Sequence, residues 1–128
     1  MPVDVEAYGQ ALLRRVAEAR RLRRAEIAGG DWQPQPNWCH ANVSVWCEVK
    51  EGYTPVRGWL YFDLPGLAFC SFVAHSALRA PNGELYDITP SRTSAEYPFL
   101  EGGLSEDEYA ELVETRGMCN LEPRKSDA

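Results

Sequence analysis

The chain has 128 residues, an apolar content of 45% and a net charge of −6 at pH 7. Its length suffices for one domain with its own core, and its 11% of aromatic residues is typical of a globular fold. The acidic balance argues against nucleic acid as the main partner. No apolar run approaches the roughly 20 residues of a membrane span. The opening MPVDVEAYGQ lacks the apolar centre of a signal peptide, so we expect a cytoplasmic protein without membrane contact.

The first predicted element is an amphipathic helix over residues 4–28, within an N-terminal segment 1–28. Gly29 and Gly30 follow it and are expected to end it. The arginines of RRVAEARRLRR are interpreted as a solvated helix face rather than as an RNA-binding surface. The helix is predicted from apolar side chains that fall near one stripe, namely Tyr8, Leu12, Val16, Ala19 and Ile27.

The stretch QPQPN at residues 33–37 is predicted to be an extended loop, because residues before proline are pushed out of the helical region. Residues 38–50 allow two interpretations. A helix is favoured, since Asn37 is a suitable N-cap residue and apolar residues recur at helical spacing. A half-buried strand is the alternative, because a β-branched or sulfur-bearing residue stands at every second position: Val43, Val45, Cys47 and Val49.

Three short aromatic-rich runs follow, over residues 55–64, 67–78 and 84–89. Turn residues bound each run, so the pattern predicts an antiparallel β-meander. Residues 89–103 are predicted to be loop. The order of helix, helix, strands and helix predicts a single α+β domain over residues 1–128, with the N-terminal helices packed on the antiparallel meander.

A C-terminal helix is predicted over residues 106–116, within the segment 105–117. Ser105 and Glu108 have the spacing of a capping box, and Gly117 is placed to end the helix. The tail over residues 120–128 is expected to fray.

Cys39 is the candidate nucleophile. If residues 38–50 are helical, it lies in the first turn, where unpaired N–H groups and the helix dipole stabilise a thiolate. His75 is the candidate general base, and Asp87 is the candidate group that fixes the tautomer of His75. Each also has an ordinary structural interpretation: a buried thiol, a core or surface histidine, and a carboxylate that bonds its own turn. Asp63 is a rival orienting acid, although the Leu-Pro-Gly after it is typical of a turn.

The hairpin between His75 and Asp87 gives a geometric test of this triad. Pro81-Asn82-Gly83 is suited to a three-residue loop, a type I turn followed by a left-handed glycine. Such a loop pairs Ala77 with Asp87. His75 and Asp87 then become diagonal neighbours on one face, with Cβ atoms at most roughly 7–8 Å apart. A two-residue Asn-Gly loop would instead put them on opposite faces.

The order Cys39, His75, Asp87 resembles that of the papain-like superfamily, in which the nucleophile begins a helix packed on an antiparallel sheet. The hairpin is similar to that of compact bacterial members, the cell-wall peptidases and related amidases. The resemblance implies a papain-like catalytic core over residues 33–90. It also implies that Gln33, six residues before the cysteine, helps to form the oxyanion hole, a role for which Gln35 and Asn37 compete. The implied activity is that of a cysteine hydrolase or acyltransferase.

We expect a peptide, a protein or a small amide as the substrate. Trp38, Asn37 and His40 are candidate substrate-binding residues because they flank the nucleophile. Neighbouring residues on a helix point about 100° apart, so the ring of His40 is not expected to reach the sulfur of Cys39.

No cofactor or metal site is predicted. The cysteines at positions 39, 47, 70 and 119 form no CxxC pair and are expected to be reduced in the cytoplasm. One alternative is a metal site made by Cys39, His40 and His75. Another is a non-enzymatic interaction module, an adaptor or immunity-type protein that uses its Arg-rich or its acidic helix as the contact.

Overall fold

The computed structural model describes residues 3–27, 29, 31–90 and 97–125. The helices in these ranges are α1 (Val5–Arg14), α2 (Cys39–Val49) and α3 (Glu106–Ala110), which continues as a π-helical segment at Glu111–Thr115. A 3₁₀ turn at Val16–Glu18 follows α1. The strands are β1 (Arg23–Arg24), β2 (Thr54–Phe62), β3 (Ser71–Arg79), β4 (Leu85–Asp87), β5 (Phe99–Glu101) and β6 (Asn120–Leu121).

The strands form one sheet in the order β1-β4-β3-β2-β5, and β6 pairs with β3. All pairs are antiparallel except β1 with β4. The predicted α+β class and the predicted meander of β2, β3 and β4 are therefore confirmed. The helical interpretation of residues 38–50 is also confirmed, because α2 occupies this segment.

The predicted N-terminal helix is wrong beyond Arg14. Asp4 caps α1 by accepting a hydrogen bond from the Ala7 amide at 3.1 Å, as its sequence context permits. After the 3₁₀ turn the chain becomes extended, and the backbone of Arg20 exchanges two hydrogen bonds with that of Phe99, at 3.0 and 2.7 Å. Pairing with sheet edges and burial of Leu22 outweigh the helical pattern of these residues.

Two short strands lie where the sequence predicts loop or a frayed tail. β5 falls within the predicted loop and pairs with β2, while β6 pairs with the beginning of β3. Both are too short to produce a period of their own in the sequence. The C-terminal capping box of Ser105 and Glu108 is confirmed, and Gly117 follows the helical segment with a φ of 70°.

The fold brings the beginning of α2 to the middle of β3. Val43 and Trp46 of α2 pack in one buried cluster with Leu78 of β3. β4 pairs with the end of β3 and β6 pairs with its beginning. The stretch of β3 between those two ladders carries His75 and Ser76, and this is where the first turn of α2 meets the sheet.

Candidate active site

Cys39 is the first residue of α2, as the nucleophile hypothesis requires. The predicted cap is wrong, however, because Trp38 and not Asn37 occupies the N-cap position. Asn37 instead adopts a left-handed conformation with a φ of 66°, which asparagine tolerates better than most residues. Trp38 makes no side-chain capping bond, so no side chain at the N-cap position occupies the first-turn N–H groups beside the sulfur.

The hairpin that carries His75 and Asp87 has the predicted three-residue loop. Leu78 pairs with Tyr86 in the ladder between β3 and β4, which is the register predicted for this loop length. The Gly83 amide donates to the Ala80 carbonyl at 2.9 Å, and Gly83 has a φ of 87°. The sequence prediction of the hairpin register is therefore confirmed.

This register brings Nε2 of His75 to 3.3 Å from Oδ1 of Asp87. The pair is an ion-pair contact without the alignment of a good hydrogen bond. Both residues are buried, with exposures of 5% for His75 and 0% for Asp87. The same Oδ1 accepts a hydrogen bond from the Thr89 amide at 3.1 Å, so the carboxylate also stabilises its own turn. The ring of Phe99 packs edge-on against the imidazole, with centroids 6.2 Å apart.

The thiol of Cys39 is strongly acidic for a cysteine. Burial raises its pKa, but hydrogen bonds from His40 and His75 outweigh burial and lower the pKa to about 6. Burial lowers the pKa of His75, but Asp87 and the thiolate of Cys39 outweigh it and raise the pKa to about 9. Between these two values the stable arrangement is a thiolate beside an imidazolium.

The expectation that His40 does not reach the sulfur is wrong. His40 is the largest of the contacts that lower the pKa of Cys39. Its Nδ1 lies 2.5 Å from Oγ of Ser76, and its ring packs edge-on against Tyr109 with centroids 5.6 Å apart. The helical spacing between neighbours separates their Cα–Cβ directions, but a ring turned by an outside partner can still bend back towards the preceding side chain.

Gln33 and Trp38 line a surface groove of about 310 Å³ beside the first turns of α2, together with Asp31, Trp32, Gln35, Ala41, Asn42 and Val45. Gln33 is exposed, and its backbone carbonyl accepts a hydrogen bond from Nε2 of Gln35 at 3.1 Å. Trp38 is 62% exposed, which suits a side chain that a bound molecule would cover. The oxyanion role of Gln33 stays a prediction.

Asn42 is a structural residue of the site that sequence reasoning missed. Its buried amide accepts from the Gln35 amide at 2.9 Å and donates to the Gln35 carbonyl at 2.8 Å, which fastens the proline-rich loop to α2. It also donates to Oγ1 of Thr89 at 3.0 Å, two residues beyond Asp87. One turn of helix separates it from Cys39, so helical phasing alone was a usable signal.

Two alternatives from the sequence lose support. Asp63 lies 3.4 Å from Nζ of Lys125 and accepts a hydrogen bond from the Tyr61 hydroxyl at 3.1 Å, away from the imidazole pair. Within the described ranges, no group of three His, Cys, Asp or Glu side chains is arranged to hold a metal ion.

Selective alkylation is the first test of this site. At about pH 6, Cys39 is expected to react with iodoacetamide before the other three cysteines, because much of it is thiolate there. Burial raises the pKa of both Cys47 and Cys70, so these thiols are expected to react slowly. A time course followed by peptide mass mapping measures all four thiols in one sample. Slow and equal labelling of all four would contradict the assignment of Cys39.

No family model, curated protein or solved structure matches this chain. None of the helices in the described part of the chain is long and apolar enough to cross a bilayer.

Proposed function

We propose that the protein is a cysteine enzyme that hydrolyses or transfers the acyl group of an amide or related acyl compound. The observation that carries the proposal is the shared contact of His75, which meets the thiol of Cys39 and the carboxylate of Asp87 from a buried strand position. A cysteine at a helix N-terminus, a histidine and an orienting carboxylate are the parts that nucleophilic acyl transfer needs.

In the proposed reaction, the thiolate of Cys39 attacks the carbonyl carbon and the carbonyl electron pair moves to oxygen. The first-turn N–H groups of α2 stabilise the resulting oxyanion, with Gln33 as the predicted side-chain donor. When the tetrahedral adduct collapses, the C–N bond breaks and the amine leaves with the proton of the His75 imidazolium. Cys39 is then an acyl thioester, and His75 is neutral.

Deacylation reverses the proton path. Neutral His75 takes a proton from water or from an acceptor amine as that group attacks the thioester. Collapse of the second adduct breaks the C–S bond and returns Cys39 as a thiolate beside an imidazolium. Asp87 keeps the imidazole oriented and favours its protonated form throughout both halves.

The proposal is tested with p-nitrophenyl acetate as a simple acyl donor. We expect a burst of nitrophenolate and an acetyl group on Cys39, detected by intact and peptide mass spectrometry. The rate should rise with pH through about 6 as Cys39 ionises and then level off, because nitrophenolate leaves without a proton. Cys39→Ser should abolish the burst, while the matched variant Cys47→Ser should retain it.

Acetylation spread over several cysteines, with a rate that rises steadily with pH, would contradict the proposal. That result would favour the interaction-module alternative. Where the acetyl group does form on Cys39, adding a primary amine separates hydrolysis from acyl transfer, because only a transferase passes the acyl group to the amine faster than to water.

A further inference from the structure

Arg57 of β2 is the centre of a hydrogen-bond cluster beside the candidate nucleophile. Its Nη1 donates to Oγ of Ser76 at 2.9 Å and to the backbone carbonyl of His40 at 3.2 Å. Its Nη2 donates to Oγ of Ser44 at 2.7 Å, and its Nε donates to Oε2 of Glu106 at 2.9 Å. The triad chemistry uses none of these contacts, yet they fix an arginine whose side chain is only 14% exposed.

Ser76 transmits this fixed orientation to His40. Arg57 has no acceptor and must donate to Oγ of Ser76, so the hydroxyl hydrogen remains available for Nδ1 of His40, 2.5 Å away. A neutral imidazole that accepts at Nδ1 carries its hydrogen on Nε2. With Nδ1 engaged, Nε2 is the ring nitrogen left to interact with the sulfur of Cys39, whose pKa the neighbouring His40 lowers.

We propose that His40 is a second hydrogen-bond donor to the sulfur of Cys39, set in its donating tautomer by Ser76 and Arg57. The inference rests on the proposed function, in which Cys39 is the nucleophile. His40 would be a catalytic residue, because it touches the reacting atom. Ser76 and Arg57 would be positioning residues that act through it.

The two histidines then have different tasks. His75 gives up a proton in the first half of the reaction and regains one in the second, so it cannot stabilise the sulfur continuously. His40 keeps its hydrogen on Nε2 throughout and stabilises the thiolate whenever it forms. The contribution is greatest when Cys39 leaves the second tetrahedral adduct, because a stabilised thiolate is a better leaving group.

The test measures the thiolate of Cys39 by its ultraviolet absorbance across a pH titration, as the difference between each variant and the same variant with Cys39→Ala. Asparagine preserves the position of Nδ1 and glutamine approximates that of Nε2, so His40→Asn should lose the donor and His40→Gln should retain part of it. We expect His40→Asn to raise the titration midpoint by about one pH unit or more, with His40→Gln in between.

Ser76→Ala and Ser44→Ala form a matched pair, since each removes one hydroxyl bonded to Arg57 but only Ser76 contacts His40. We expect Ser76→Ala to raise the midpoint of Cys39, while Ser44→Ala should titrate as the wild type. Equal shifts from both variants, or no shift from His40→Asn, would overturn the inference.

The tautomer can also be read in the unmodified protein. Nitrogen-15 NMR of the imidazoles distinguishes a hydrogen on Nε2 from one on Nδ1, and we expect it on Nε2 of His40. A hydrogen on Nδ1 would overturn the inference whether or not the variants fold. None of these measurements needs a substrate, so they remain decisive even if no acyl group is transferred. The proposed function fails separately, when p-nitrophenyl acetate leaves Cys39 unmodified.

Discussion

Replacing His75 by alanine should slow the alkylation of Cys39 by iodoacetamide at pH 6 by about tenfold or more. In the wild type, about half of Cys39 is thiolate at this pH, since its pKa is about 6. Without the imidazole, burial acts with less opposition and the pKa of Cys39 rises. A return to an ordinary thiol pKa of about 8.5 lowers the thiolate fraction about 150-fold, and the greater nucleophilicity of a more basic thiolate offsets roughly tenfold to twentyfold of that loss.

The measurement is a rate of carbamidomethylation, followed peptide by peptide in wild type and His75→Ala. Cys47 serves as an internal reference thiol in the same samples, because it lies further along α2 than Cys39 and its rate should not change. An unchanged Cys39 rate, in a variant that keeps its circular dichroism spectrum, would show that His75 does not control the thiol.

Replacing Asp87 by asparagine should lower acyl transfer from acetyl p-nitroanilide, an amide donor, to Cys39 by about 10²–10⁴-fold. The amide keeps the size of the carboxylate and can still accept from the Thr89 amide, so the turn is retained. The negative charge of Asp87 is lost, so the pKa of His75 should fall from about 9, with only the thiolate of Cys39 left to counteract the effect of burial. At neutral pH the imidazole is then mostly neutral and cannot protonate the leaving group.

Proton NMR of the His75 ring across a pH titration measures this pKa directly in both forms. Asp63→Asn is the matched control, because Asp63 is an exposed carboxylate away from the imidazole and its loss should change neither quantity. Arg24 also lies 3.6 Å from Asp87, so Arg24→Gln shows how much of the effect arises from that second ion pair. Full activity in Asp87→Asn would contradict the orienting role of the carboxylate.

The hairpin of the site was predictable from sequence because neighbouring residues in the loop determine how its two strands pair. Pro81, Asn82 and Gly83 determine the loop length, and the loop length determines which residues of β3 and β4 face each other. The start of α2 at Cys39 was nearly as predictable. The N-cap was not predictable, because Asn37 adopts a left-handed conformation within a loop that Asn42 binds through the backbone of Gln35.

The remainder of the site depends on contacts between distant segments. The orientation of His40 follows from Ser76 and Arg57, which lie on two other elements. No spacing of residues in the sequence predicts that these three side chains come into contact. The predicted end of the N-terminal helix was wrong for a similar reason. Residues from Arg20 onward pair with sheet edges that only the folded chain provides.

The most direct test of the central claim is the ionisation of Cys39 in the wild-type protein. Thiolate absorbance is recorded from acid to alkaline pH, and the same titration of Cys39→Ala is subtracted to remove the other three cysteines. A buried thiolate held by imidazole donors should give a midpoint near pH 6. A midpoint near that of an ordinary thiol, about 8.5, would contradict the account of Cys39 as an activated nucleophile.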